Sequence, residues 1–268
     1  MRLKILRKIE LTTLEDLPVK VESIKSSLER IYGVKLGMEF KVLPVKSLCP
    51  TEDFLEKDKL AMILMKIIDE GYRVPIITVR KGGEYYVVDG HHRAYILTKM
   101  MKETVESYVL RFPEEVSYRA PQKRAIETLP IIDPAPIDDP ILKAWSQIIT
   151  LLKYYEAMYG LPFYIIVENV PLEKLVPTQP QVSGEQVRSI ERLLVPIVCI
   201  KYGGKYYILD GHARALRAKE MNLETIRAIL LTPKKDLEYG IIRTVNRLGL
   251  KGIDDIKVCG EEYAKLCM

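Results

Sequence analysis

Apolar and polar positions follow two different periods along the chain, and these periods predict its elements. Apolar residues recur every three or four positions in three segments, which predicts helices at 17–32, 55–70 and 141–159, with Asp16 and Asp139 as capping residues. Short runs rich in β-branched and aromatic residues predict strands at 1–12, 41–45, 74–79, 85–88, 105–112 and 225–231, and a last helix is predicted at 236–248. Short strands that alternate with helices predict an α/β (α+β) fold.

The same order of elements occurs twice. Residues 80–86 (RKGGEYY) match residues 201–207 (KYGGKYY) without a gap, and each stretch carries a Gly-Gly pair typical of a tight hairpin. Residues 44–51 likewise parallel residues 171–178. The offset between copies is 127 residues at this second match and 121 at the first, so the intervening helical region is six residues shorter in the second copy. These matches predict an internal duplication.

Each predicted hairpin leads into a corner of the same composition. The first corner reads Asp89-Gly90-His91-His92-Arg93 and the second reads Asp210-Gly211-His212-Ala213-Arg214, and together they contain all three histidines of the chain. A helix that begins after a glycine presents unpaired N–H groups and the positive end of its dipole to an anion, and arginine adds a planar fork suited to phosphate. The alternative is a simple turn before a solvated helix end. Two copies in the same setting favour a phosphate site.

Four segments follow from these landmarks. Residues 1–40 form an N-terminal extension in which the pattern indicates no chemistry, and residues 41–112 form the first module. Residues 113–162 form a proline-rich linker followed by a helix. Residues 163–268 form the second module with a C-terminal helix.

Composition limits the classes of function. The chain has 268 residues, of which 48% are hydrophobic and 29% charged, so it can bury a core in each module. The absence of an apolar run of about 18 residues and of a signal-peptide pattern predicts a cytoplasmic protein without a membrane partner. The four cysteines lack the spacing of a zinc or redox motif. The net charge of +5 allows a nucleic-acid partner but does not require one.

The first corner and its surroundings resemble the ParB/sulfiredoxin-like superfamily. The resemblance lies in the Asp-Gly-His-His-Arg string at 89–93, the Pro-Thr-Glu loop at 50–52, the Val-Pro-Ile stretch at 74–76 and the Gly-Gly hairpin at 82–83. It covers residues 41–112 well and residues 168–231 more loosely, and within the superfamily the first copy looks most like the free serine kinases. The resemblance implies two tandem modules, each a small mixed sheet with flanking helices.

The resemblance also implies roles for individual residues. Gly90, His91, His92 and Arg93 would hold the phosphates of a nucleotide, and Asp89 would orient the site or bind Mg²⁺. Glu52 stands where the kinases keep an essential acid, and its carboxylate could accept the proton of an attacking hydroxyl. Glu52, Asp89 and His91 are therefore the expected catalytic residues. The expected reaction is Mg²⁺-dependent transfer of a phosphoryl group from ADP or ATP to a hydroxyl of a free, serine-like amino acid or another small metabolite.

Three departures bear on this expectation. Sulfiredoxins place a reactive cysteine where this chain has His91, which disfavours their thiol chemistry. The second copy has Gln179 in place of the acid and Ala213 in place of the second histidine, so it is expected to be non-catalytic. Its remaining corner residues form a second candidate anion site, namely Asp210, Gly211, His212 and Arg214.

Two other readings stay open. The first is a ParB-like nucleotide-binding, DNA-associated protein with nuclease or NTPase activity, although no helix-turn-helix pattern follows the corner. The second is a nucleotide sensor without turnover. The sequence leaves open the choice between ADP and ATP, the acceptor and the oligomeric state.

Overall fold

A computed structural model describes residues 9–134 and 138–260, and the chain divides into two units between Thr150 and Leu151. The helices are α1 (Leu17–Tyr32), α2 (Lys57–Glu70), α3 (His91–Lys99), α4 (Pro140–Tyr159), α5 (Gly184–Arg188), α6 (His212–Glu220) and α7 (Gly240–Leu248). The strands of the first unit are β1 (Gly37–Pro44), β2 (Leu48–Pro50), β3 (Leu55–Glu56), β4 (Ile76–Lys81), β5 (Glu84–Asp89), β6 (Thr104–Arg111) and β7 (Ile131–Ile132). Those of the second are β8 (Phe163–Pro171), β9 (Leu175–Pro177), β10 (Gln181–Ser183), β11 (Ile197–Tyr202), β12 (Lys205–Asp210), β13 (Thr225–Pro233) and β14 (Lys257–Cys259).

A mixed five-stranded sheet forms the centre of the first unit. Its strand order is β1-β6-β4-β5-β2, in which β4 runs antiparallel to β5 and parallel to β6. The helix α1 packs on this sheet through Leu17 and Val21, which lie in one core cluster with the strand residues Ile77, Val79 and Leu110. The apolar stripe that predicted α1 is therefore the surface by which the N-terminal extension attaches to the first module.

The second unit repeats this sheet. Its order is β8-β13-β11-β12-β9, which matches the first sheet strand for strand. The hairpin register shifts between Ile77 and Thr78 in the first sheet and between Val198 and Cys199 in the second, at equivalent positions. The predicted α/β fold and internal duplication are thus confirmed.

The helix that follows the first short strands differs between the units. The helix α2 has 14 residues, whereas α5 has five. This difference agrees with the shorter second copy predicted from the spacing. The first unit therefore has a longer helix beside its corner, and α2 supplies side chains to the site described below.

Part of the predicted linker belongs to the first unit. A 3-10 turn at Ile126–Thr128 contacts α3, and β7 pairs with β3. The second unit has the same feature, because β14 pairs with β10 after a 3-10 turn at Ile253–Asp255. The repeated module is therefore longer than residues 41–112.

Several local predictions differ in detail. Of the strand expected at 1–12, residues 1–8 lie outside the described part, and residues 9–12 have no regular structure. Asp16 forms no capping bond to the helix and instead accepts a hydrogen bond from the Thr13 hydroxyl, at 2.6 Å. Asp139 does cap α4, since its carboxylate accepts the backbone N–H of Ile141 at 2.8 Å. The chain continues beyond α7 into β14, which the pattern did not predict.

Among the described helices, none combines the length and apolar character that a membrane crossing requires.

Candidate functional site

The backbone of the first corner depends on Gly90. This residue has a φ of 98°, and a Cβ atom there would lie 2.6 Å from Ile76 Cγ2 and 2.8 Å from a guanidinium nitrogen of Arg93. A side chain at this position would therefore collide with the strand behind the corner and with the arginine. Glycine lets β5 turn directly into α3, whose first residues line the cavity described below.

His91 is buried and connects the corner to the loop that carries Glu52. Its Nε2 accepts the backbone N–H groups of Thr51, at 3.0 Å, and of Glu52, at 3.2 Å. An atom that accepts two hydrogen bonds carries no proton, so the ring proton lies on Nδ1. Nδ1 is 3.3 Å from Glu52 Oε1, at an angle short of a regular hydrogen bond. A small rotation of the half-exposed Glu52 side chain would complete this bond.

His92 has a similar arrangement one residue further on. Its Nε2 accepts the backbone N–H of Glu56 at 2.9 Å, and its Nδ1 lies 3.9 Å from Glu52 Oε2. The two imidazoles thus use one nitrogen each to fix the loop 51–56 and turn the other nitrogen towards the same carboxylate. The structure brings His91, His92 and Glu52 together, with the carboxylate as the common neighbour of the two rings.

The Glu52 carboxylate is held in its ionised form. Burial has the largest single effect and raises its pKa, but the neighbouring imidazoles of His91 and His92 and the charge of Lys59 together lower the pKa below its ordinary value. The side chain of Arg124 also donates to the backbone carbonyl of Glu52. A fixed and ionised carboxylate that is 48% exposed can receive a proton from a ligand.

Asp89 and Arg93 form a buried ion pair below the corner. A guanidinium nitrogen of Arg93 donates to Asp89 Oδ2, and another lies 3.4 Å from the carbonyl oxygen of Val74. The second oxygen, Asp89 Oδ1, is 2.5 Å from Lys20 Nζ. Burial raises the pKa of the Asp89 carboxyl most, but the charges of Arg93 and Lys20 outweigh it and the pKa is lowered.

These contacts bear on the predicted magnesium site. Each Asp89 oxygen already faces a cation, so this carboxylate does not fit a metal ligand as it stands. Within residues 9–134 and 138–260, no group of three or more His, Cys, Asp or Glu side chains is arranged to hold a metal ion.

The corner opens into a small cavity of about 70 Å³. It is lined by Glu10, Leu11, Thr12, Lys20, Glu52, Lys59, Ile63, Tyr72 and residues 89–93. Three of these residues are cations, namely Lys20, Lys59 and Arg93, and three are carboxylates, namely Glu10, Glu52 and Asp89. With the N-terminus of α3 as an additional positive element, the cavity is suited to a group of phosphate size.

Sequence reasoning missed Lys20, Lys59 and Tyr72. Lys20 belongs to the extension in which the pattern indicated no chemistry, and it reaches Asp89 only because α1 packs on the first sheet. Lys59 lies in the first turn of α2 and could have been suspected, because it is seven residues from Glu52 on the helix that the Glu52 loop enters. No signal in the sequence links Tyr72 to the corner.

The second unit contains the same scaffold. The Nε2 atom of His212 accepts the backbone N–H of Thr178 at 3.0 Å, as His91 does with Thr51. Arg214 pairs with Asp210 at 2.7 Å, as Arg93 does with Asp89. Burial lowers the pKa of His212 to about 4, so the ring is neutral at neutral pH. These shared contacts are the ones that fold the corner.

Three side chains of the first corner are replaced in the second. At equivalent positions Gln179 replaces Glu52, Ala213 replaces His92 and Gln186 replaces Lys59. The Gln179 amide donates to the carbonyl oxygen of Gln181 at 2.7 Å instead of facing a histidine pair. The second anion site predicted at Asp210, Gly211, His212 and Arg214 thus consists of the scaffold contacts alone.

Comparison with known proteins gives one relative by sequence and several by structure. No protein-family profile matches the chain. An uncharacterized protein of Methanocaldococcus jannaschii is 33% identical over 115 residues, which cover 40% of this chain and only 43% of that relative's length.

The chain also matches solved structures of the classes that the corner resembles. A sulfiredoxin from Arabidopsis thaliana is 20% identical with a TM-score of 0.18, over 38% of this chain and 94% of that protein. A truncated ParB from Caulobacter crescentus, complexed with CTP-γ-S, is 17% identical with a TM-score of 0.25, over 44% of this chain and 65% of that one. A free serine kinase in complex with AMP is 12% identical with a TM-score of 0.26, over 83% of this chain and 85% of the kinase. Sulfiredoxin, ParB and free serine kinase are thus all among the structures that the chain matches.

Proposed function

We propose that the first module is a phosphotransferase that moves the terminal phosphoryl group of ADP or ATP to the hydroxyl of a small metabolite, with a serine-like amino acid as the first acceptor to test. The observation that carries this proposal is the Glu52 carboxylate between two oriented imidazoles, at the edge of a cavity of phosphate size. A second observation supports it. The other module keeps the corner scaffold but lacks this carboxylate and His92.

The corner residues have distinct roles in this reaction. The terminal phosphoryl group would lie at the N-terminus of α3, where backbone N–H groups and nearby cations balance its charge. The acceptor oxygen attacks phosphorus, the bond to the bridging oxygen of the nucleotide breaks, and that oxygen keeps the electron pair. The hydroxyl proton passes to Glu52. Little proton transfer is required early in such a loose transition state, so a carboxylate with a lowered pKa is sufficient.

His91 and His92 act on the ligand through Glu52. Both rings are anchored by backbone N–H groups and direct Nδ1 at the carboxylate. They are therefore positioning residues, which keep Glu52 ionised and aimed into the cavity. A direct phosphate contact by either histidine would have to use Nδ1, the nitrogen that faces Glu52.

Phosphorus NMR tests the proposal. The protein is given ADP or ATP, with Mg²⁺ in the buffer, and a mixture of serine, threonine, polyols and sugars. We expect a new phosphomonoester signal, which Glu52→Gln abolishes without loss of nucleotide affinity, because the amide keeps the size of the side chain but cannot take the proton. Asp53→Asn is the matched control, since Asp53 is the next residue, pairs with Arg124 and lies 90% exposed outside the cavity.

Two outcomes would contradict the proposal. Turnover that survives in Glu52→Gln would remove this residue from the chemistry. Nucleotide binding by the wild-type protein without any new signal would favour the sensor or the ParB-like reading. DNA binding that weakens steeply with salt would then favour the ParB-like reading, because several Lys and Arg contacts to phosphates release counterions.

A further inference from the structure

The N-terminal extension forms one wall of the corner cavity. Lys20, in the first turn of α1, places its Nζ 2.5 Å from Asp89 Oδ1 and donates to the Thr12 hydroxyl at 2.8 Å. The carbonyl oxygen of Thr12 also accepts the Tyr72 hydroxyl at 2.7 Å. Both Lys20 and Thr12 line the cavity, so the extension contributes side chains to the site itself.

Arg93 is poorly placed to bind a ligand. Its side chain is 5% exposed, and its guanidinium is held by Asp89 and lies near the Val74 carbonyl. The second unit has the same arginine–aspartate pair although it lacks Glu52, which indicates that the pair serves the fold of the corner. The charge of a bound phosphate must then be met largely by other cations of the cavity.

We propose that Lys20 is a phosphate-binding residue of the site, and that Asp89 serves to position it. The ammonium group has three donors, of which one faces Asp89 and one faces the neutral Thr12 hydroxyl. A phosphate oxygen is a stronger acceptor than a hydroxyl, so an entering ligand replaces Thr12 while Asp89 keeps the lysine in place. This inference rests on the proposed function in one respect only, the presence of a nucleotide phosphate at the corner.

The charges of the cavity support this role. Its three cations and three carboxylates balance, so removal of Lys20 would leave an excess of carboxylate facing the ligand. The side chain of Lys20 is 39% exposed, which leaves it accessible to a ligand, in contrast to Arg93. The second unit lacks an equivalent of the other lysine, since Gln186 stands in place of Lys59. Cations with access to the ligand are thus a feature of the first corner.

Binding of a polyphosphate would also affect the segment around Thr12. Leu11 and Thr12 line the corner cavity on one side and a larger cavity of about 560 Å³ on the other. Sites for small organic ligands occupy about 300–1,000 Å³, so of these two cavities the larger one has room for a nucleoside. Loss of the Lys20–Thr12 bond would loosen the segment between the two cavities.

Calorimetric titration of the full chain with ADP and with AMP tests the inference. We expect Lys20→Met to weaken ADP binding about tenfold or more, and AMP binding less, because the ammonium meets the added phosphate charge. Lys20→Arg should restore most of the affinity. The matched control is Lys25→Met, because Lys25 lies on the same helix and pairs only loosely with Glu22 and Glu29, at 3.7 Å each.

The outcomes separate this inference from the proposed function. Equal ADP affinity in Lys20→Met and the wild type overturns it, even where phosphoryl transfer is observed. A loss of affinity that comes with a lowered melting temperature and that Lys20→Arg does not relieve also overturns it, since Lys20 would then be structural. A protein that binds ADP through Lys20 without turnover refutes the proposed function and supports the inference.

Discussion

The corner histidines divide into two kinds when the two units are compared. His91 and His212 both accept a backbone N–H from the threonine of the preceding loop, at 3.0 Å in each case. His92 has no counterpart in the second unit, where Ala213 takes its place. The shared histidine therefore holds the loop on the corner in both units, whereas the additional histidine is specific to the corner for which we propose a function. Comparison of equivalent positions in the two units thus distinguishes residues that fold the corner from residues found in the first corner alone.

His92→Ala tests this division by giving the first corner the composition of the second. The variant should fold, because the second unit folds with alanine at this position. We expect the rate of phosphoryl transfer to fall about tenfold to a hundredfold, since Glu52 loses one of its two imidazole neighbours, whereas ADP affinity should change little. Phosphorus NMR gives the rate and calorimetric titration the affinity.

The prediction for His92 has a control variant in the second unit and one outcome that would contradict it. Ala213→Ser, at the equivalent position of the second unit, should leave rate and affinity unchanged. A loss of ADP affinity in His92→Ala as large as the loss of rate would instead indicate that His92 contacts the phosphate directly.

At the residue scale, the sequence predicted the candidate site residues that are neighbours along the chain. The corner string places Gly90, His91 and His92 together by adjacency alone, and the resemblance added Glu52, whose Oε1 lies 3.3 Å from His91 Nδ1. Lys20 could not be found in this way. It reaches Asp89 across 69 positions of the chain, through the packing of α1 on the sheet, and neither periodicity nor composition encodes that contact.

At the scale of elements, the strand, glycine and helix of the corner act as one unit. Gly90 and Gly211 have nearly equal φ angles of 98° and 96°, and a Cβ atom at either position would lie within 3 Å of the isoleucine and arginine beside it. The two corners are therefore held by the same steric requirement. They differ in the side chains around the corner, where the first unit has Glu52, His92 and Lys59.

Gly90→Ala and Gly211→Ala form a matched pair that separates folding from binding. Each substitution should destabilise its unit by about 2 kcal/mol or more, because alanine is strained at this φ and collides with its neighbours. Only Gly90→Ala should also weaken ADP binding, since it displaces the N-terminus of α3. Hydrogen exchange of each unit reports the first effect and calorimetric titration the second. Loss of ADP binding in a folded Gly211→Ala protein would contradict this assignment.

Long and strongly periodic elements were the predictable part of the fold. The helices α1, α2 and α4 and both hairpins appear where the pattern placed them, within two residues at most ends. The short strands β3, β7, β10 and β14 were not predicted, because two or three residues are too few to show a period. They pair only when distant segments meet, as Leu55 does with Ile131. The proline-rich stretch was predicted to be a linker because its strand β7 is too short to show a period.

At the scale of the whole molecule, the duplication has produced two similar folds whose corners carry different side chains. The second unit keeps the sheet order, the register shift and the corner scaffold of the first. It has glutamine in place of Glu52 and of Lys59, and at the same offset of 127 residues α4 has Gln147 at the position that Lys20 occupies in α1. The fold of the second unit is thus kept without these side chains, so they are not required for the corner to form.

The chain should accordingly bind one nucleotide. Calorimetric titration with ADP should give a stoichiometry close to one per chain, and Gln179→Glu combined with Ala213→His should leave it unchanged. These substitutions restore the carboxylate and the second histidine, but not the lysines that balance the phosphate charge, and the added carboxylate repels an anion. The matched control removes the lysine of the first corner, since Lys20→Met should lower the affinity of the single site. A stoichiometry of two in the wild-type protein would show instead that the corner scaffold is sufficient for binding, and Lys20 would lose the role inferred for it.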